Sequence, residues 1–181
     1  MCGICGFNWE DKEIIKEMSD TLAHRGPDQY GLYTDKFVSL GHQRLSIIDL
    51  SEKGKQPMSN ENGDIWVAYN GEIYNFKEIR KDLEGKGHIF KSETDTEIIV
   101  HAYEEYGIKC VNLFNGMFAF AIYDSKNKKI MLARDRLGIK PLYYYYDKIN
   151  NKFIFASEIK SILSNPIIRR ELNFAALSQL T

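Results

Sequence analysis

The sequence predicts an α+β domain in which helices lie outside two stacked antiparallel sheets. Three observations carry that expectation. Helical spacing of apolar residues is concentrated before Gly107, and the later half reads as strands joined by hairpin turns. The run Met117–Ile122 is apolar throughout rather than alternating, as a strand buried on both faces requires. A chain of 181 residues, 44% hydrophobic, is the size of one domain and can fill the core such layering needs.

The elements follow in order. Ile4–Trp9 is strand-like, and a helix is expected over Asp11–Ala23, with Ile14, Ile15, Met18 and Leu22 at helical spacing. Asp11 suits its N-cap and Gly26-Pro27 stops it. Short strands are expected at Tyr30–Thr34 and Phe37–His42, then an irregular stretch from Ser51 to Asn62. Asn62-Gly63 reads as a turn into the strand Ile65–Tyr69. Asn75 can cap a helix running to Glu84, which Gly85 and Gly87 end. Thr94 or Asp95 opens another, with Ile98, Ile99, Ala102, Tyr103 and Tyr106 as its stripe and Gly107 at its end. Met117–Tyr123, Lys129–Ala133, Leu142–Tyr146 and Phe153–Ala156 are expected strands, followed by a short helix over Ser157–Leu163. In Asn173–Thr181, Phe174, Leu177 and Leu180 have helical spacing that stops in mid-pattern. This predicts a domain over 1–172 and the start of a connecting helix over 173–181.

The bulk properties exclude several classes. A formal net charge of −1 gives no general attraction to nucleic acid or to an anionic membrane. The basic run Lys126-Asn127-Lys128-Lys129 is better explained as a solvated hairpin tip, and the aromatic run Tyr143–Tyr146 as strand than as a base-stacking surface. No window approaches the ~18 apolar residues of a membrane span, and the opening residues do not follow a signal-peptide pattern. Three cysteines, two of them at the extreme N-terminus, make a poor disulfide framework and point to a reducing cytoplasm.

Few residues offer chemistry. Cys2 precedes a glycine and becomes N-terminal once Met1 is removed, so one carbon then bears both a thiol and an α-amine. With a reference pKa of ~7.7–8.0, that amine can take the thiol proton without a histidine. Cys2-Gly-Ile-Cys5 also has the spacing of a redox pair or half a zinc site, but no second such pair or histidine pair completes it. Cys5 and Cys110 are expected as small buried residues. A thiol attacking an amide needs oxyanion donors. Asn70-Gly71, at the end of its strand, supplies an amide side chain and a closely approachable N–H, although the dipeptide alone is a common turn. Arg44 can clamp a carboxylate or form a surface ion pair. Asp95 can hold an ammonium or merely cap its helix.

Together, the runs Cys2-Gly-Ile-Cys-Gly-Phe7, His24-Arg-Gly-Pro-Asp28, Gly41–Leu50 and Tyr69-Asn-Gly-Glu-Ile-Tyr-Asn75 resemble class II, N-terminal-nucleophile glutamine amidotransferase domains. Ser92–Glu97, Gly116–Asp124, Ala133–Tyr144 and Phe155–Leu163 narrow the likeness to the N-terminal half of glutamine-dependent asparagine synthetases. The resemblance covers almost the whole chain in order. It implies a four-layer αββα sandwich of Ntn-hydrolase type, with Cys2 as nucleophile and Asn70 and Gly71 as the oxyanion hole. It further implies Arg44 at the glutamine α-carboxylate and Asp95 at its ammonium. Leu45, Ile47, Ile48 and Glu72 would line the pocket, and Arg25 and Gly26 would lie beside it in a mobile cover. L-Glutamine is then the substrate, the hydrolytic step needs neither cofactor nor metal, and ATP and Mg2+ belong to a C-terminal ATP-pyrophosphatase-type synthetase domain that receives the ammonia. The alternatives are a related amidotransferase with a different acceptor and a non-catalytic scaffold, the latter disfavoured by intact Cys2. A small metal or redox protein built on Cys2 and Cys5 is the remotest. Oligomeric state is left open, a homodimer being one option.

Overall fold

A computed structural model describes residues 1–171 and Phe174 of the chain. The boundary at 172/173 and the helix expected over 173–181, Phe174 apart, therefore lie outside the described residues. In chain order the elements are β1 (Gly3–Phe7), α1 (Lys12–Asp20), β2 (Gln29–Asp35), β3 (Val38–Arg44), β4 (Met58–Ser59), β5 (Ile65–Ile73), α2 (Phe76–Gly85), α3 (Thr96–Tyr106), β6 (Gly116–Asp124), β7 (Lys129–Arg134), β8 (Tyr143–Asp147), β9 (Lys152–Ala156) and α4 (Ile159–Ser164), with short 3-10 turns between some of them. The strands form a five-stranded sheet, β2-β3-β1-β9-β8, and a four-stranded sheet, β4-β5-β6-β7. Every pairing is antiparallel.

Side-chain alternation sets the layers. Ile4, Val38, Leu40 and Phe155 of the first sheet meet Ala68, Ala119, Ala121 and Tyr123 of the second in one buried cluster. Alternate residues point the other way. Cys5, Phe7, Ile154 and Ala156 pack on Ile15, Met18 and Leu22 of the α1 region and on Ile162 of α4. Val67, Tyr69, Phe118, Phe120 and Ile122 pack on Ile79 and Leu83 of α2 and on Ile98, Ile99 and Ala102 of α3. The result is the αββα sandwich, with α1 and α4 outside one sheet and α2 and α3 outside the other. Ala68, Ala119 and Ala121 line much of the inner face of β5 and β6, with Trp66 and Tyr123 as its large residues, while Val67, Tyr69, Phe118, Phe120 and Ile122 face the helices.

Local chemistry explains the element ends. Asp11 caps α1 as expected, its carboxylate accepting the Glu13 and Ile14 N–H groups. Asn75 precedes α2 without capping it. Its side chain instead donates to Leu113 O at 2.9 Å and accepts from Asn115 N at 3.0 Å, tying α2 to the approach to β6. The expected strand end at Tyr69 is corrected: β5 runs on to Ile73, with Asn70 opposite Ala119 and Gly71 opposite Phe118, so Asn70-Gly71 is not a turn. Pairing with β6 overrides the local turn preference. The two-residue β4 lies inside the stretch expected to be irregular. No helix among the described residues is long and apolar enough to cross a membrane.

Candidate active site

β1 is the middle strand of its sheet, hydrogen-bonded between β3 and β9, so the residue just before it is held firmly. That residue is Cys2. Its Sγ lies 3.4 Å from the Leu45 N–H, which donates to it, and Arg25 Nε donates to the Cys2 carbonyl at 2.9 Å. Arg25 is fixed by Glu158, 2.9 Å from Nη1. Arg25 therefore anchors the backbone of Cys2 and is a brace rather than part of a cover. Gly26 follows where an added Cβ would meet Gln43 O at 2.3 Å, so no side chain fits between the turn and β3.

Cys2 opens onto a cleft of about 630 Å³, its mouth included. All the residues expected to form the site line it: Cys2, Arg44, Leu45, Ile47, Ile48, Asn70, Gly71, Glu72 and Asp95. Burial raises the Cys2 thiol pKa above its ordinary value, a shift that the Leu45 N–H and the Arg44 charge oppose. The resting sulfur is thus a thiol that needs a base. Met1 also lines the cleft, 57% exposed and joined to the Cys2 nitrogen.

The facing wall is β5. Asn70 is buried, and its Nδ2 has no hydrogen-bond partner among the described residues. An orphaned buried amide costs roughly 1–3 kcal/mol, a cost that a ligand oxygen would remove. Along a strand, every second N–H points to the same edge. Tyr69 N donates to Gln56 Oε1 at 2.7 Å and Ile73 N to Asp95 Oδ2 at 2.9 Å. Gly71 N lies between them on that edge, beyond the reach of β4, which pairs only with Trp66 and Val67. A side chain at Gly71 would meet Met117 O at 2.4 Å, so the close approach depends on glycine.

Asp95 does not cap α3. Its carboxylate turns inward, accepting the Tyr69 hydroxyl at 2.6 Å and the Ile73 N–H through Oδ2. Burial raises its pKa, partly offset by these two donors, and a cation at this position would restore the charged form. Arg44, at the end of β3, has its fork committed to the following loop. Nη1 donates to Ser51 O at 3.0 Å and Gln29 Oε1 at 3.1 Å, and Nη2 to Ile48 O at 3.2 Å and to Asp49 O. In this structure it is a loop clasp that also lines the cleft.

Among the cleft and wall residues that sequence reasoning missed, beside Thr94, Thr96 and Met117, four have clear partners or burial. Gln56 caps Tyr69 N and donates to Thr96 Oγ1 at 3.2 Å. Tyr69 reaches Asp95, and Lys140 is buried in the cleft lining. His42 Nε2 lies 2.9 Å from Tyr69 O, a polar link between the sheets, and burial lowers its pKa to about 4, so it is neutral near pH 7. Only His42 carried a signal, a polar residue two positions beyond Leu40 where the alternation Val38, Leu40 calls for another apolar side chain. Cys5 lies on the outer face of its sheet, its thiol pushed up to about 12 by burial, and Cys110 is buried elsewhere with its thiol raised to about 11. Neither meets Cys2, so the paired-cysteine alternative has no geometry.

The chain belongs to the glutamine amidotransferase domain family, which it matches over residues 1–181. Its relatives within that family include asparagine synthetase [glutamine-hydrolyzing] 3 of Bacillus subtilis, 42% identical over 99% of this chain and 30% of the relative. They also include asparagine synthetase [glutamine-hydrolyzing] 2 of the same organism, 47% identical over 92% of this chain and 22% of the relative. A putative asparagine synthetase [glutamine-hydrolyzing] 2 of Methanocaldococcus jannaschii is 43% identical over 96% of this chain and 37% of its own length. The chain thus spans little more than a third, or less, of these proteins. The fold is that of the Bacillus subtilis glutamine phosphoribosylpyrophosphate amidotransferase, with a TM-score of 0.74 at 22% identity over 90% of this chain and 43% of that one.

Proposed function

We propose that this domain hydrolyses the side-chain amide of L-glutamine through Cys2 and supplies ammonia for ATP-dependent conversion of aspartate to asparagine. The observation that carries this reading is the convergence of the Cys2 thiol, the orphaned Asn70 amide and the half-satisfied Asp95 carboxylate on one cleft. Removal of Met1 leaves an α-amine on Cys2. That amine takes the thiol proton, and the thiolate attacks the side-chain carbonyl carbon of glutamine. The C=O π pair becomes an oxyanion that Asn70 Nδ2 and Gly71 N–H stabilise. As the C–N bond breaks, the ammonium returns its proton to the departing nitrogen, giving ammonia and a γ-glutamyl thioester. Water, deprotonated by the same amine, attacks the thioester. The C–S bond breaks, the thiol regains its proton and glutamate leaves.

Asp95 holds the substrate ammonium. Arg44 meets the α-carboxylate, giving up one of its loop carbonyls to do so. Leu45, Ile47, Ile48 and Glu72 enclose the side chain. No cofactor enters these steps, and ATP and Mg2+ serve the acceptor half of the reaction in an ATP-pyrophosphatase-type synthetase domain. The cytoplasm, reducing enough to keep Cys2 as a thiol, is the compartment that suits it. The test is covalent trapping with a glutamine analogue that carries an electrophile in place of the amide. A single adduct on the peptide that begins at Cys2 is expected. Labelling of Cys5 or Cys110 instead, or no labelling, would contradict the assignment.

A further inference from the structure

On the far side of α3 from its cleft end, two histidines and a glutamate form a second constellation. His101 and Glu104 share one face of α3, three residues apart, and His88 reaches them from the segment that follows α2. Glu104 Oε2 lies 2.8 Å from His101 Nδ1 and 3.7 Å from His88 Nδ1. One donor atom from each of the three residues lies within 4.8 Å of the others. Ligand atoms about 2.0–2.2 Å from a tetrahedral zinc are roughly 3.4 Å apart, so the two separations to Glu104 Oε2 already bracket what a ligand set requires.

The outward-facing atoms make the case stronger. His88 Nε2 faces Glu105 Oε2 at 3.5 Å, and His101 Nε2 faces Glu97 Oε1 and Glu61 Oε1, each at 3.8 Å. Asn60 Nδ2 donates to Glu104 Oε1 at 2.7 Å, leaving Oε2 turned toward the histidines. Each donor therefore has its inner atom directed at the other two and its outer atom near or bonded to a carboxylate or an amide. Carboxylates behind ligating imidazoles fix ring orientation and raise basicity at metal centres. His101 is 1% exposed, with the Phe90 ring edge-on at 4.6 Å and Arg80 stacked over that ring at 4.7 Å. The charge balance points the same way. Glu61, Glu97, Glu104 and Glu105 surround two imidazoles, while Lys126 pairs with Asp64 and Lys86 is shared between Asp82 and Tyr106 and, at 3.9 Å, Glu105.

We propose that His88, His101 and Glu104 bind a divalent cation of the zinc class, with water as the fourth ligand. Two imidazole nitrogens and one carboxylate oxygen favour such an ion over magnesium or calcium, which prefer all-oxygen sets. Bound there, the ion staples the exit of α2 to α3, whose first residue, Thr96, lines the cleft together with the preceding Asp95. The site is independent of glutamine chemistry.

The test is zinc chloride titration of the chain carrying Cys2→Ala, which removes the competing N-terminal thiol, followed by calorimetry and thermal melting. One equivalent should bind and raise Tm. His88→Asn and Glu104→Gln should each weaken binding at least about tenfold, and Glu105→Gln should do so more mildly, with unchanged near-UV circular dichroism. Co2+ in place of Zn2+ should give visible d–d absorption that His88→Asn abolishes. Absence of stoichiometric binding, or binding undiminished in both ligand variants, would overturn the site and leave the cluster as a histidine–carboxylate ion-pair network.

Discussion

The two walls of the cleft are built differently. The β5–α3 wall carries Asn70, Gly71 and Asp95 on a paired strand and the entry to a packed helix, and Asn70 and Asp95 are almost fully buried. The opposite wall is the loop after Arg44, where Ile47 is 72% and Leu50 78% exposed and Asp49 adopts a positive φ of 53°. That loop is fastened chiefly by Arg44 reaching back to its carbonyls. In the proposed reaction the donors that would meet developing charge sit on a buried, paired strand, and Ile47, which would enclose substrate, sits on an exposed loop. The difference implies that damage to Asn70 or to the packing of the strand wall appears in turnover or in fold stability, and damage to the loop wall, or to Asp95 where strand meets helix, in substrate affinity.

The sharpest break between the walls is Asn70→Ala. Loss of one oxyanion donor costs about 2.7–4 kcal/mol, so kcat should fall about 10²–10³-fold with KM little changed. Steady-state ammonia release reads both constants, and a loss confined to KM would move Asn70 to the binding side of the comparison.

The strand wall also depends on His42, whose hydrogen bond to Tyr69 O joins the sheets. Burial lowers its pKa from 6.5 to about 4, so between those values the unfolded chain binds more protons than the native one. This stability contribution is complete above pH 6.5 and is lost as pH falls toward 4, by up to about 3 kcal/mol. Urea melts across that range should show His42→Gln losing less stability than the wild type on acidification. An equal loss in both would show that His42 does not control it.

Asp95→Asn tests the junction of strand and helix. Hydrogen bonds to charged groups contribute about 1.5–3 kcal/mol, so kcat/KM should fall about 10–100-fold, mainly through KM. The smallest effect belongs to the loop. Ile47→Ala should leave unfolding free energy within about 0.5 kcal/mol of wild type while KM rises severalfold. A large stability loss there would show that the loop is as rigid as the strand.

What could be read from the sequence follows from the range of the forces involved. The strands and helices were legible because their apolar spacing is local, and the αββα layering followed from the family resemblance. Cys2, Asn70, Gly71, Arg44 and Asp95 were legible because their motifs are contiguous runs, and the structure gathers them on one cleft. Their partners were not. Tyr69 meets Asp95, Gln56 meets Tyr69 N and Arg25 meets Cys2 O only after the sheets form, and no local pattern encodes such distant pairs. Asn70-Gly71 was placed at a strand end because its turn preference is local, whereas the β6 pairing that keeps it extended is not. The capping roles open to Asp95 and Asn75 failed for the same reason, since each side chain found a tertiary partner instead.

The central claim is that a Cys2 bearing its own free α-amine is the nucleophile on which these walls converge. The most direct measurement is ammonia release from L-glutamine by three proteins checked by intact mass: the chain lacking Met1, the chain retaining it, and Cys2→Ala lacking Met1. Release by the first alone is the predicted result. Release at a comparable rate by either of the others would contradict the account.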